Sequence, residues 1–246
     1  AWADYAARHF GDNDGRLWGK ATPQYMCDPS SAERIHRMMP ALKLVAILRD
    51  PIDRTWSHYL MGKRRSTESR SFDAAIDPLL ASDSMAINRT LPVPEHRQGF
   101  ESESPFYIAW SEYGRILQRY RELFGPQQML VLYTEDLERD PEGTLDQLLG
   151  FIGLDPGFRP AGLGEVMHQG GGSNRIPHGL RVWLRERQLV NTLWQRLPDA
   201  RRGRLRFLYE RWNVRKTSTS STGMPDALRA TLRDHFREDL ALLDSL

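Results

Sequence analysis

Residues 42–59 read Leu-Lys-Leu-Val-Ala-Ile-Leu-Arg-Asp-Pro-Ile-Asp-Arg-Thr-Trp-Ser-His-Tyr, and this stretch decides the fold. Positions 42–48 are almost continuously apolar, with β-branched Val45 and Ile47, the pattern of a strand covered on both faces in the middle of a sheet. Asp50 is suited to cap a helix and Pro51 to occupy its first position, so a helix is predicted over Ile52 to Met61, directly off the strand. Arg49 therefore closes a strand. Ligands of open α/β sheets collect at the carboxyl ends of strands, where a guanidinium is well placed to grip an anion. Ser57 lies seven residues beyond Asp50, roughly 10 Å along the axis at about 1.5 Å per residue. An anion touching both Arg49 and Ser57 would lie beside the helix. The bland alternative is an Arg49–Asp53 ion pair, with Ser57 an ordinary helix residue.

Upstream, Ser30 and Glu33 form a capping-box signature for a short helix that Pro40 ends. Downstream, residues 62–104 mix basic, Ser, Pro and Gly positions around one short helix near Phe72 to Leu80, an unusual length for an inert connection. This is the expected substrate-facing insertion, and Arg64, Arg65 and Arg70 hint at an anionic substrate. Apolar positions at helical spacing predict a helix over Pro105 to Phe124, stopped by Gly125 and Pro126. Met129 to Tyr133 repeats the buried-strand pattern, and Asp140 with Pro141 opens another helix. The alternation implies an α/β fold around a parallel sheet. Helical patterns continue over Trp2 to Phe10, Leu180 to Leu197, Leu205 to Trp212 and Pro225 to Leu243. The last is preceded by the polar run Arg215-Lys216-Thr-Ser-Thr-Ser-Ser-Thr-Gly223.

Arg49, Asp50, Pro51, Arg54, Ser57 and Tyr59 match position by position the second nucleotide-binding motif of the sulfotransferases, and the chain resembles their glycosaminoglycan-type and bacterial members. Gly19-Lys20-Ala-Thr-Pro-Gln-Tyr-Met26 is similar to the family's Gly-Glu-Lys-Thr-Pro-x-Tyr segment, with Lys20 in place of the usual Glu. Glu33-Arg-Ile-His36 is similar to its following helix, and Tyr133-Thr-Glu-Asp-Leu137 to its Glu-Asp-Leu turn. The resemblance implies a P-loop-NTPase-like three-layer fold, with a central parallel sheet between helices, in a single domain spanning residues 1–246. It also implies transfer of a sulfuryl group from 3′-phosphoadenosine-5′-phosphosulfate (PAPS) to a hydroxyl or amine of a small-molecule, lipid or carbohydrate acceptor, releasing 3′-phosphoadenosine-5′-phosphate (PAP). Arg49 and Ser57 would hold the 3′-phosphate. Arg215 and Lys216 match, in place and composition, the basic loop that folds over the nucleotide, while Lys20 faces the sulfuryl group, an acidic substrate or solvent. The transfer would be in line, with a general base taking the acceptor proton; the sequence identifies no such base. His58, beside the motif, reads better as a supporting or surface histidine than as that base. The family's Lys-x-Gly-Thr-Thr loop has no counterpart, since Gly143-Thr144-Leu145 lacks the lysine and opens an ordinary helix. The expectation is a fragment or an incomplete enzyme, lacking the first strand and its phosphosulfate loop.

Composition narrows the alternatives. Thirty-four basic against 32 acidic side chains leave a net charge of +2, too little for a general pull toward nucleic acid. The arginines of 181–206 lie opposite Trp183 and Trp194, as on a helix packed against a domain, so nucleic-acid binding is a remote reading. A second reading is a sulfotransferase-like protein that binds nucleotide without catalysis. One cysteine, seven histidines without ligand spacing and no apolar run of about 20 residues predict no metal, no disulfide, no membrane span and a cytoplasmic location.

Overall fold

The computed structural model describes residues 17–65, 67–93, 103–164, 173–174, 176, 205, 214–215 and 223–246. The helices predicted over Trp2 to Phe10 and Leu180 to Leu197 lie outside these residues, as does all but Leu205 of the one predicted over Leu205 to Trp212. In chain order the elements are α1 (Pro23–Cys27), α2 (Ser31–Met38), β1 (Leu44–Leu48), α3 (Pro51–Arg65), α4 (Phe72–Ile76), α5 (Ser82–Asn88), α6 (Tyr113–Arg121), β2 (Met129–Tyr133), α7 (Thr134–Arg139), α8 (Pro141–Ile152), β3 (Ser173–Asn174), β4 (Val214–Arg215) and α9 (Asp226–Asp244).

The two apolar runs pair in parallel, Leu44 opposite Met129 through Leu48 opposite Tyr133, which gives an α/β fold with a small parallel sheet. Parallel strands need a crossover, and residues 51–128 supply it with helices. On one face Ala46, Leu48, Met129 and Val131 pack with Tyr113, Ile116 and Leu117 of α6 and with Leu243 of α9. Leu44 and Met129 meet Ala32, Tyr120 and Phe124 at one end of that face. The other side of β1 departs from expectation: Val45 is 40% exposed and Ile47 52%. Coverage reaches only the β2 part, where Leu132 is buried and α8 packs against the strand. β1 is therefore not enclosed on both faces, and among the described residues β2 is its sole strand neighbour.

The connection from Pro105 to Phe124 also differs from a single helix. It comprises two 3-10 turns, Ser104–Phe106 and Ala109–Ser111, before α6 begins. Phe106, Tyr107, Ile108, Ala109 and Trp110 are buried in succession, and five consecutive residues cannot share one face of an α-helix. At Ser30 the capping box does not form: the Ser30 hydroxyl and amide both donate to Asp28 Oδ1 at 2.8 Å, an Asx-type turn that competes with the cap. Asp140 does cap α8, accepting from the Gly143 amide at 2.9 Å, so Gly143 and Thr144 are helix residues as expected.

Candidate anion site at the carboxyl ends of the strands

Asp50 forms the predicted cap of α3: its Oδ1 accepts the Asp53 amide at 2.8 Å. The turn between β1 and α3 is thereby fixed, and Arg49 stands at its start, exposed, at the carboxyl end of the sheet. The bland ion pair is not made. Asp53 Oδ1 instead pairs at 3.1 Å with Arg229, from the first turns of α9, and among the described residues no carboxylate comes within 4 Å of the Arg49 guanidinium. Ser57, half-buried two turns along, has no hydrogen-bond partner among the described residues. Arg54 stands between them in sequence. Its contacts are the Tyr107 carbonyl and Ser111 Oγ, each at 3.4 Å, and the Trp110 ring face at 5.7 Å. Removal from water depresses its pKa, and no carboxylate is paired with it. Among the described residues neither Arg49, just before the helix, nor Arg54, on its first turn, has a carboxylate within ion-pair distance, and the Ser57 hydroxyl further along makes no hydrogen bond.

The backing is rigid. Thr55, fully buried, donates to the Pro51 and Tyr107 carbonyls at 2.8 and 3.1 Å and lies 3.0 Å from Ser111 Oγ. His58 Nε2 meets Glu103 Oε2 at 2.7 Å, and its ring stacks on Trp110 and edges onto Tyr107. His58 is thus buried structure behind the helix, consistent with a supporting role. Tyr59 donates to the Arg70 carbonyl at 3.0 Å and packs on Trp56 and Phe72. Burial pushes the Tyr113 phenol, which lies against the Arg49 backbone, up to about 12, and Arg54 only partly opposes this. Tyr113 is therefore a neutral neighbour at physiological pH. Burial likewise pushes the Cys27 thiol up to about 11 despite Arg54, Arg119 and Arg115 nearby. A thiol so held is no nucleophile near neutrality.

The other predicted site residues fare unevenly. Lys20 is exposed in the segment before α1. Arg215 belongs to β4, whose backbone pairs antiparallel with β3, Ser173 opposite Arg215; Lys216 lies outside the described residues. The pairing brings Ser173 and Asn174 beside Val214 and Arg215. Met224, just after the hydroxyl-rich run, is buried in the same cluster as Ile52 of α3. Arg70, read as a hint of an anionic substrate, is closed by two bonds of 3.0 and 2.7 Å to the buried carboxylate of Glu68. Sequence reasoning missed Arg229; its signal was position, as the first cation after the hydroxyl-rich run. Among the described residues no group of His, Cys, Asp and Glu is arranged to hold a metal, and no helix is long and apolar enough to cross a membrane.

A strand-closing arginine beside a capped helix, at the open end of a parallel sheet, defines an α/β protein with a candidate anion site. The profile of the sulfotransferase family matches residues 3–159, and the chain belongs to that family. It is 26% identical over 146 residues to mouse heparan sulfate glucosamine 3-O-sulfotransferase 6, covering 57% of this chain and 36% of that protein. Human heparan sulfate glucosamine 3-O-sulfotransferase 3B1 is 26% identical over 141 residues (57% and 32%), and mouse carbohydrate sulfotransferase 15 is 24% identical over 123 (50% and 22%). The chain thus matches about a third or less of each of these relatives. A solved sulfotransferase from Alicyclobacillus acidocaldarius superposes with a TM-score of 0.53 at 25% identity, over 69% of this chain and 62% of that one.

Proposed function

We propose that the protein transfers a sulfuryl group from PAPS to a hydroxyl or amine of its acceptor, and that Arg49 and Ser57 hold the 3′-phosphate. The observation that carries this reading is the exposed Arg49 guanidinium at the strand ends, which no carboxylate of the described residues pairs within 4 Å, Asp53 being engaged by Arg229 and Glu135 by the Asp50 amide. A 3′-phosphate supplies the missing charge, and its oxygens suit both the forked donor of Arg49 and the free hydroxyl of Ser57. Arg215 and Lys216 are assigned to the covering loop. Support comes from the end of that loop, where Met224 and Arg229 are anchored against the first turns of α3. The family places this chemistry on a P-loop-NTPase-like three-layer sheet in a single domain, and the parallel β1–β2 pair with its helices is compatible with that frame. PAPS brings the activated sulfuryl group, and this chain's residues bind and orient its nucleotide end. The names of the relatives favour a carbohydrate acceptor, such as an amino sugar.

Calorimetry tests the nucleotide half directly. The protein should bind PAP at least about tenfold more tightly than 5′-AMP, and Arg49→Ala should abolish the difference. Equal affinities in the unaltered protein would refute the assignment.

A further inference from the structure

The Glu-Asp-Leu turn after β2 has no role in the reading so far, and its first carboxylate sits where that reading needs support. The ladder ends at Leu48 opposite Tyr133, so the next residues of the two strands remain neighbours as the chain leaves the sheet. There Glu135 Oε1 accepts the backbone N–H of Asp50 at 3.1 Å, and its Oε2 accepts from the Thr134 hydroxyl at 3.1 Å. In a capping box, the third helical residue returns a carboxylate to the amide of the cap residue. In α3 that residue is Asp53, and its carboxylate is turned to Arg229. The box is therefore split: Asp50 accepts from Asp53, and Glu135, in the first turn of α7 just after β2, replaces the returning arm. Both bonds act on the residue adjoining Arg49.

We propose that Glu135 is a positioning residue for the Arg49 cation: by holding the Asp50 amide it fixes the β1–α3 turn and aims Arg49 at the phosphate. The inference rests on the 3′-phosphate reading, and it goes beyond that reading by giving the helix turn that follows the sheet's second strand a part in recognition. Glu135 works as an acceptor, so a side chain that still accepts suffices.

Two variants of the full protein test it, Glu135→Ala and Glu135→Gln, with two readouts. The first is the ratio of PAP to 5′-AMP affinity. Alanine should lower it about tenfold, the loss of one charge-assisted hydrogen bond, while glutamine stays within about twofold of wild type. A merely structural role would weaken both nucleotides together and leave the ratio unmoved. The second is hydrogen exchange at the Asp50 amide, about tenfold faster in Glu135→Ala and near wild type in Glu135→Gln. An unchanged ratio in the alanine variant, an equal loss in both variants, or unchanged Asp50 exchange would overturn the proposal. A wild-type protein without preference for PAP would sink the phosphate reading, and the exchange readout would then decide by itself whether Glu135 holds the turn.

Discussion

Arg49 and Glu112 show two opposite treatments of charge in one domain. Glu112 is 2% exposed and saturated: Arg89 donates to both its oxygens at 2.8 and 2.6 Å, Arg115 at 2.8 Å and His235 at 3.1 Å. Beside it, Asp239 accepts the Gly114 and Arg115 amides at 2.9 Å, tying the start of α6 to α9. This hub joins the end of α5, α6 and the last helix, and its charges are answered from within the protein. Arg49 and Arg54 have no carboxylate within ion-pair distance among the described residues. A buried charge with full partnership is architecture, because leaving it unpaired is prohibitive. A cation left open at the carboxyl end of a strand is where the fold expects a ligand.

The contrast breaks hardest at Gly114. A Cβ there would meet the Asp239 carbonyl oxygen at 2.1 Å and the Leu243 amide at 2.9 Å, both backbone atoms of α9. Gly114→Ala should cost more than about 3 kcal/mol in urea unfolding, or leave the protein insoluble. Glu112→Gln leaves Arg89, Arg115 and the His235 ring facing a neutral amide. The expected loss is about 3 kcal/mol, some 6–12 °C in Tm for a domain of this size.

The same residue gives the comparison a pH axis. Burial alone would raise the Glu112 pKa, but the hydrogen bonds from Arg89 and His235 and the charge of Arg115 outweigh it and bring it down to about 2. A carboxylate depressed in the folded state contributes stability that is complete above its ordinary pKa near 4.5 and lost as pH falls toward 2. Thermal unfolding followed from pH 6 to pH 2 should show this loss in the wild-type protein, with the component missing from Glu112→Gln. A smaller effect is expected at the open end. Asp53 and Arg229 are each about 40% exposed, so Asp53→Asn should change stability by less than about 1 kcal/mol. Cys27 should be alkylated slowly at pH 7–8 and faster only as pH approaches 11, measured by mass spectrometry of the carboxamidomethylated chain.

The sequence carried the parts of this picture that depend on neighbours in the chain. The apolar runs at 44–48 and 129–133, the Asp50–Pro51 cap and the inward face of α9, with Leu232, Phe236 and Leu243 buried, follow from period and local chemistry. What it could not carry depends on contacts across the fold. The open side of β1 was invisible because Val45 and Ile47 look the same in sequence whether or not another element covers them. The Glu112 hub draws on residues 89, 115 and 235, which no local pattern connects. Arg49 was legible as a cation at a strand end. That Asp53 would turn to Arg229 instead, and so leave it open, was not.

Thermal stability of wild-type protein and Arg49→Ala, each with PAP, 5′-AMP or no nucleotide, tests the central claim most directly. Ligand that binds only the folded state raises Tm by mass action. The account predicts the same Tm for both proteins without nucleotide, a rise with PAP in the wild type only, and little response of either to 5′-AMP. A rise with PAP that survives in Arg49→Ala, or a variant that loses stability before any nucleotide is added, would contradict it and make Arg49 another structural arginine.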